Sequence, residues 1–136
     1  MIRGLDHIGI AVRDLEAAVR TYEAALGLTC RHRETVEDQD VKTAFLPLGD
    51  TRLELLEPLS AEGPVGRFLG RRGEGVHHLC FAVDDIRAAL ARCREAGATL
   101  IDEEPRMGAG RKWVAFVHPK DTHGVLIELS QPAEPA

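Results

Sequence analysis

The chain has 136 residues, 44% of them apolar and 29% charged, with a formal net charge of −5, which is the composition of a soluble globular protein of one domain spanning 1–136. The acidic balance argues against a nucleic-acid partner, which calls for a basic face, and no apolar run approaches the roughly 20 residues that a membrane-spanning helix requires. The opening MIRGLDH lacks the apolar core of a secretory signal. Cys30, Cys80 and Cys93 are scattered, odd in number and without a CxxC pair, so a cytoplasmic protein with reduced, buried thiols is expected.

The first element is LDHIGIAV, residues 5–12, a strand in which Ile8, Ile10 and Val12 share one face and His7, Gly9 and Ala11 the other. Asp14 then offers a helix N-cap, apolar residues follow at helical spacing (Leu15, Ala18, Val19, Tyr22), and Gly27 closes the helix. Three strands are predicted next, over 28–34, 41–48 and 51–58. In the last of them Leu53 and Leu55 point to the core, with Glu54 and Leu56 opposite. Residues 59–75, rich in Gly and Arg, form a linker with a short helix near Val65–Leu69.

HHLCFAV, residues 77–83, then repeats the opening phrase. Leu79, Phe81 and Val83 form its core face, and His78, Cys80 and Ala82 the other. Asp85 caps a second helix that carries Ile86, Ala89, Leu90 and Cys93 and ends at Gly97. Strands over 98–103, 112–118 and 124–130 complete the chain. In the last, Val125, Ile127 and Leu129 are assigned to the core, and Leu126, Glu128 and Ser130 to the opposite face.

The two halves, module 3–58 and module 76–131, therefore read as one βαβββ unit written twice. The fold class expected is α+β, two pseudo-repeated βαβββ modules forming a curved, cup-like mixed β-sheet backed by helices. On the face away from the helices each half carries one histidine and one glutamate: His7 with Glu54, and His78 with Glu128. A buried glutamate costs several kcal/mol unless it is paired. Two imidazoles and two carboxylates suit a divalent metal of mixed nitrogen and oxygen preference, whether cobalt, manganese, nickel, iron or zinc. His77 falls on the opposite face from His78 and is expected to pack. His118 and His123 have no partner of matched spacing and are expected to be structural or exposed.

The phrases LDHIGIAV, FLPLGDTRLELLEPLS, GEGVHHLCFAVDDI, LIDEEPRMGAG and HPKDTHGVLIEL together resemble the vicinal-oxygen-chelate superfamily of glyoxalases, bleomycin resistance proteins and dioxygenases. Within it the chain is most similar to the methylmalonyl-CoA epimerase family. The resemblance runs over about residues 3–131, with GEGVHH and HPKDTHGVLIEL the most specific phrases. It implies metal ligands at His7, Glu54, His78 and Glu128, with cobalt the foremost metal. It also implies an isomerase that interconverts (2R)- and (2S)-methylmalonyl-CoA through a metal-stabilised enolate, with Glu128 carrying one of the two proton transfers, and a homodimer. Some relatives have glutamine at the position of Glu54, and some carry a glutamate where this chain has Thr43, a poor base near neutral pH, so the second proton carrier stays open. Lys112, Lys120, Arg71 and Arg72 are candidates for the coenzyme A phosphates, and Phe68 or Leu69 for apolar cover at the substrate mouth. The alternatives are a lactoylglutathione lyase of the glyoxalase I type or another metalloenzyme of the superfamily, and a metal-free small-molecule-binding resistance protein. The last generally lines its cavity with aromatic residues, whereas this chain has one Trp, one Tyr and four Phe.

Overall fold

The computed structural model describes residues 1–133. In chain order the elements are β1 (Ile2–Ala11), α1 (Leu15–Leu26), β2 (His32–Val36), β3 (Val41–Leu48), β4 (Thr51–Pro58), α2 (Pro64–Arg72), β5 (Gly75–Val83), α3 (Ile86–Glu95), β6 (Arg106–Gly108), β7 (Lys112–Val117) and β8 (Ile127–Pro132). The order βαβββ therefore occurs twice, with α2 between the two copies. The chain forms two compact units, one of His7–His77 and one of Met1–Asp6 with the residues from His78 onward.

In the first-half unit the strand order is β2-β3-β4-β1. The β2–β3 and β3–β4 pairs are antiparallel, whereas β4 runs parallel to β1 with Leu53 opposite Ile8 and Glu54 opposite Gly9. Helix α1 covers one face of this sheet. Leu15 and Val19 of the helix meet Val12, Ala44, Leu46, Leu53 and Leu55 in one apolar cluster, with Ile8, Ile10 and Tyr22 at its margin. Leu46 and Leu55 are fully buried, and each contributes about 2 kcal/mol by leaving water.

The second-half unit repeats the plan. Its strand order is β5-β8-β7-β6, with β5 parallel to β8 and both other pairs antiparallel. Helix α3 supplies Ile86 and Leu90 to a core with Val83, Ala115, Val117 and Leu129.

The two helices start in the same way. Asp14 accepts a hydrogen bond from the Ala17 N–H and Asp85 one from the Ala88 N–H, each at 3.1 Å. A second acceptor reaches each first turn from the last strand of its own unit. Glu57 takes the Leu15 N–H at 2.7 Å, and Gln131 takes the Ile86 N–H at 2.8 Å. Both ends of the first turn are thus satisfied, which fixes where each helix leaves its sheet.

Several predicted boundaries move. The strand expected over 28–34 forms only at His32–Val36, because its register is set by the tight connection at Glu37–Gln39 that brings Val36 opposite Val41. Leu28 and Cys30 pack on the core without joining the strand. The strand expected over 98–103 reduces to one isolated bridge, Leu100 to Val117. The sheet edge is supplied by β6, which pairs with β7 across a turn where Gly110 and Arg111 take positive φ. Helix α3 ends one residue early, with Ala96 as its cap, and Gly97 follows at φ 88°. Val125, assigned to the core, is exposed, because β8 begins only at Ile127. The linker helix α2 is longer than expected and buries Val65 and Leu69. Among the described residues no helix is long and apolar enough to cross a membrane.

Candidate functional site

Strand alternation places one histidine and one glutamate of each unit on the sheet face away from its helix. All four side chains are buried: His7, Glu54, His78 and Glu128 are 3–5% exposed.

In the first-half unit, the Glu54 carboxylate lies with Oε2 3.1 Å from His7 Nδ1. The parallel register of β1 and β4 makes this contact, since Glu54 stands opposite Gly9, and a glycine there leaves the space beside His7 open. The same oxygen accepts two bonds from Arg52, from Nε at 2.8 Å and Nη2 at 2.6 Å. Arg52 lies two residues before Glu54 on the same face, and its guanidinium sits over the Phe45 ring, 5.2 Å from the centroid. Phe45 is the cross-strand neighbour of Glu54, and Thr43, fully buried, is that of Leu56. This face of the unit thus holds His7, Thr43, Phe45, Arg52 and Glu54.

The second-half unit matches it position by position. His78 Nε2 lies 2.9 Å from Glu128 Oε1. Glu128 stands opposite Cys80 on one side and Phe116 on the other, as Glu54 stands between Gly9 and Phe45. The His78 and Phe116 rings meet edge to face at 5.6 Å. Ser130, one pleat beyond Glu128, is 1% exposed, and its Oγ has no hydrogen-bond partner, an uncommon condition for a buried hydroxyl.

The structure therefore brings His7 to Glu54 and His78 to Glu128, the pairings that strand parity predicts. Two histidines behave as expected. His77 is half-buried and packs on Phe68 at 5.1 Å, edge to face. His118 accepts the Lys120 N–H at its Nδ1 and caps a single 3₁₀ turn. The candidate phosphate contacts divide. Lys112 is engaged by Asp6, Nζ to Oδ1 2.5 Å, with both side chains largely covered, so it is not available as a free cation. Lys120, Arg71 and Arg72 are exposed, and Arg72 lies over Phe68. Arg52 and Ser130 are the polar residues of these faces whose setting the sequence reading missed. The signal for Arg52 was its spacing of two from Glu54 within one strand. Ser130 carried none beyond parity.

Chemically, each pair offers one nitrogen and one oxygen donor in a site shielded from water. Two imidazoles and two carboxylates fit a divalent cation of intermediate hardness and need no thiolate.

Comparison with known proteins gives these geometries a context. Residues 6–116 match the family described as the Glyoxalase/Bleomycin resistance protein/Dioxygenase superfamily. The ethylmalonyl-CoA/methylmalonyl-CoA epimerase of Cereibacter sphaeroides is 44% identical over 96% of this chain and 99% of its own. The mitochondrial methylmalonyl-CoA epimerase of Homo sapiens is 40% identical over 93% of this chain and 73% of its own. A solved structure of a methylmalonyl-CoA epimerase in complex with methylmalonyl-CoA and NH4+ superposes with a TM-score of 0.93 at 41% identity, covering 98% of this chain and 96% of that one.

Proposed function

We propose that this chain, which belongs to the Glyoxalase/Bleomycin resistance protein/Dioxygenase superfamily, epimerises methylmalonyl-CoA and uses His7, Glu54, His78 and Glu128 as the ligands of one divalent metal ion. The observation that carries the reading is the duplicated, buried His–Glu pair in a chain that is 44% identical, over nearly its whole length, to an epimerase of this substrate. Cobalt is the metal we assign first, with manganese, nickel, zinc and iron suited to the same donors.

The substrate has an acidic C–H between a thioester carbonyl and a carboxylate. Removing that proton leaves charge that must spread onto the thioester oxygen. When bound, a divalent cation supplies Lewis-acid stabilisation of that developing charge. The rest of the chemistry falls to the protein. Glu128 takes the proton from one face of the acidic carbon, within hydrogen-bond reach. His78 orients Glu128 through the 2.9 Å contact. Phe116 and Phe45, opposite the two glutamates, keep bulk water from the carboxylates and so strengthen every charge interaction beside them. Thr43 has no acid–base capacity near neutral pH, so it returns no proton to the other face. That role falls to Glu54 or to a water.

The three free thiols suit the cytoplasm, and the resemblance to the epimerase family supports a homodimer. The test is conversion of one methylmalonyl-CoA epimer into the other by chain stripped with a chelator and reloaded with each of the five metals. The hemithioacetal of methylglyoxal and glutathione serves as the competing substrate. Metal-dependent epimer conversion without lyase activity is the expected result, and lyase activity alone would replace this reading.

A further inference from the structure

We infer that Arg52 is a positioning residue that clamps Glu54 as a fixed metal ligand and withholds it from proton transfer, leaving Glu128 as the mobile carboxylate. The inference rests on the metal reading above. Three observations carry it.

First, Arg52 places two N–H donors on one oxygen of Glu54, at 2.8 and 2.6 Å, and His7 lies on the same oxygen at 3.1 Å. A guanidinium is a planar, rigid fork, so two donors on one carboxylate fix its direction in a way that a lysine ammonium, a point charge on a flexible stem, does not. Second, the clamp is itself held. The guanidinium rests on the Phe45 ring, Phe45 is the cross-strand neighbour of Glu54, and the Arg52 side chain is only 21% exposed. Third, the repeat breaks at this point. The phrases TRLELL and GVLIEL occupy the same place in the two halves, and Leu126 stands where Arg52 stands. Glu128 has an apolar residue at the position from which Glu54 is gripped. A duplicated site whose two carboxylates differ in this one neighbour divides the labour: one carboxylate is fixed by a counter-charge, and its counterpart keeps the freedom a proton carrier needs.

The test compares the native chain with Arg52→Met, Arg52→Gln, Arg52→Lys, Glu54→Gln and the double variant Arg52→Met/Glu54→Gln. Dissociation constants for cobalt and manganese are measured by calorimetry, and kcat and KM at saturating metal. Groups that orient metal ligands typically contribute 10–100-fold in affinity. Arg52→Met is expected to weaken metal binding by about that factor while kcat at saturating metal stays within threefold, and Arg52→Lys to recover part of the loss. Glu54→Gln should cost less in the Arg52→Met background than in the native one. Arg52→Gln, which keeps a polar side chain, replaces Arg52→Met if the latter fails to fold. An unchanged metal affinity in an Arg52→Met or Arg52→Gln chain whose native counterpart binds metal overturns the clamp alone. A large fall in kcat at saturating metal overturns it too, since Arg52 would then act on the substrate. A native chain that binds neither metal overturns the clamp and the metal reading together.

Discussion

Replacing His78 by leucine removes the group that lies 2.9 Å from Glu128 Oε1 and leaves the carboxylate 3% exposed. A hydrogen bond to a charged group contributes about 1.5–3 kcal/mol, and breaking one side of a buried charged pair costs about 3–5 kcal/mol. The edge-to-face contact of His78 with Phe116 is lost as well, though leucine refills much of that volume. We expect His78→Leu to destabilise the metal-free chain by about 3 kcal/mol, which for a domain of this size lowers Tm by roughly 10 °C. The double variant His78→Leu/Glu128→Leu removes both polar partners together and should regain at least half of that loss, because replacing a whole buried pair by apolar residues is often close to neutral. Urea denaturation of chelator-treated protein, read by circular dichroism, measures all three chains without any contribution from metal. If His78→Leu lies within about 1 kcal/mol of the parent, or if the double variant is less stable than either single one, the pair is not what compensates the burial of Glu128, and the reasoning fails.

Two glycines of α2 should diverge. A Cβ on Gly66 would lie 2.1 Å from the Ser60 carbonyl oxygen, whereas one on Gly70 meets nothing within 4 Å. Gly66→Ala should therefore cost about 1–3 kcal/mol, and Gly70→Ala should leave stability unchanged or raise it by up to about 1 kcal/mol, both by thermal denaturation. Leu46→Ala, at a fully buried position in the first-half core, should cost about 2–5 kcal/mol in urea. Asp121 accepts the Thr99 N–H at 2.8 Å, and this hydrogen bonding holds its carboxyl below the ordinary value. A depressed folded-state pKa gives stability that is present above the unfolded value and is lost as pH falls through the folded one. Asp121→Asn should accordingly flatten the acid limb of the stability–pH curve below about pH 4, with little change near neutrality.

How much of this was legible in the sequence depends on which interaction set each feature. The repeat, the two N-caps and the His–Glu faces were readable, because each rests on local periodicity or parity: Asp14 and Asp85 cap as expected, and Leu53 and Leu55 face α1 while Glu54 faces away. Strand limits were less readable where a distant partner decides them. Residues 98–103 carry apolar residues that pack, yet only Leu100 bridges, because β7 takes its edge partner from Arg106–Gly108 across a turn. Lys112 reads as a surface cation until the fold brings Asp6 against it. The reach of Glu57 and Gln131 back to the helix starts likewise joins residues 42 and 45 positions apart, which no local pattern encodes. Arg52 was the nearest miss, since its spacing from Glu54 was in plain sight but only Phe45, from the neighbouring strand, makes it a held group.

The most direct measurement of the central claim is deuterium wash-in. One epimer of methylmalonyl-CoA is incubated in heavy water with metal-loaded chain, with chelator-treated chain and with Glu128→Gln. Proton NMR follows the acidic carbon, and chiral analysis follows the second epimer. The account predicts deuterium at that carbon together with the other epimer for the loaded chain, and neither for the stripped chain. It also predicts at least a hundredfold slower exchange for Glu128→Gln, the scale of a lost general base. Absence of exchange with every one of cobalt, manganese, nickel, zinc and iron, or full exchange after chelation, would contradict it.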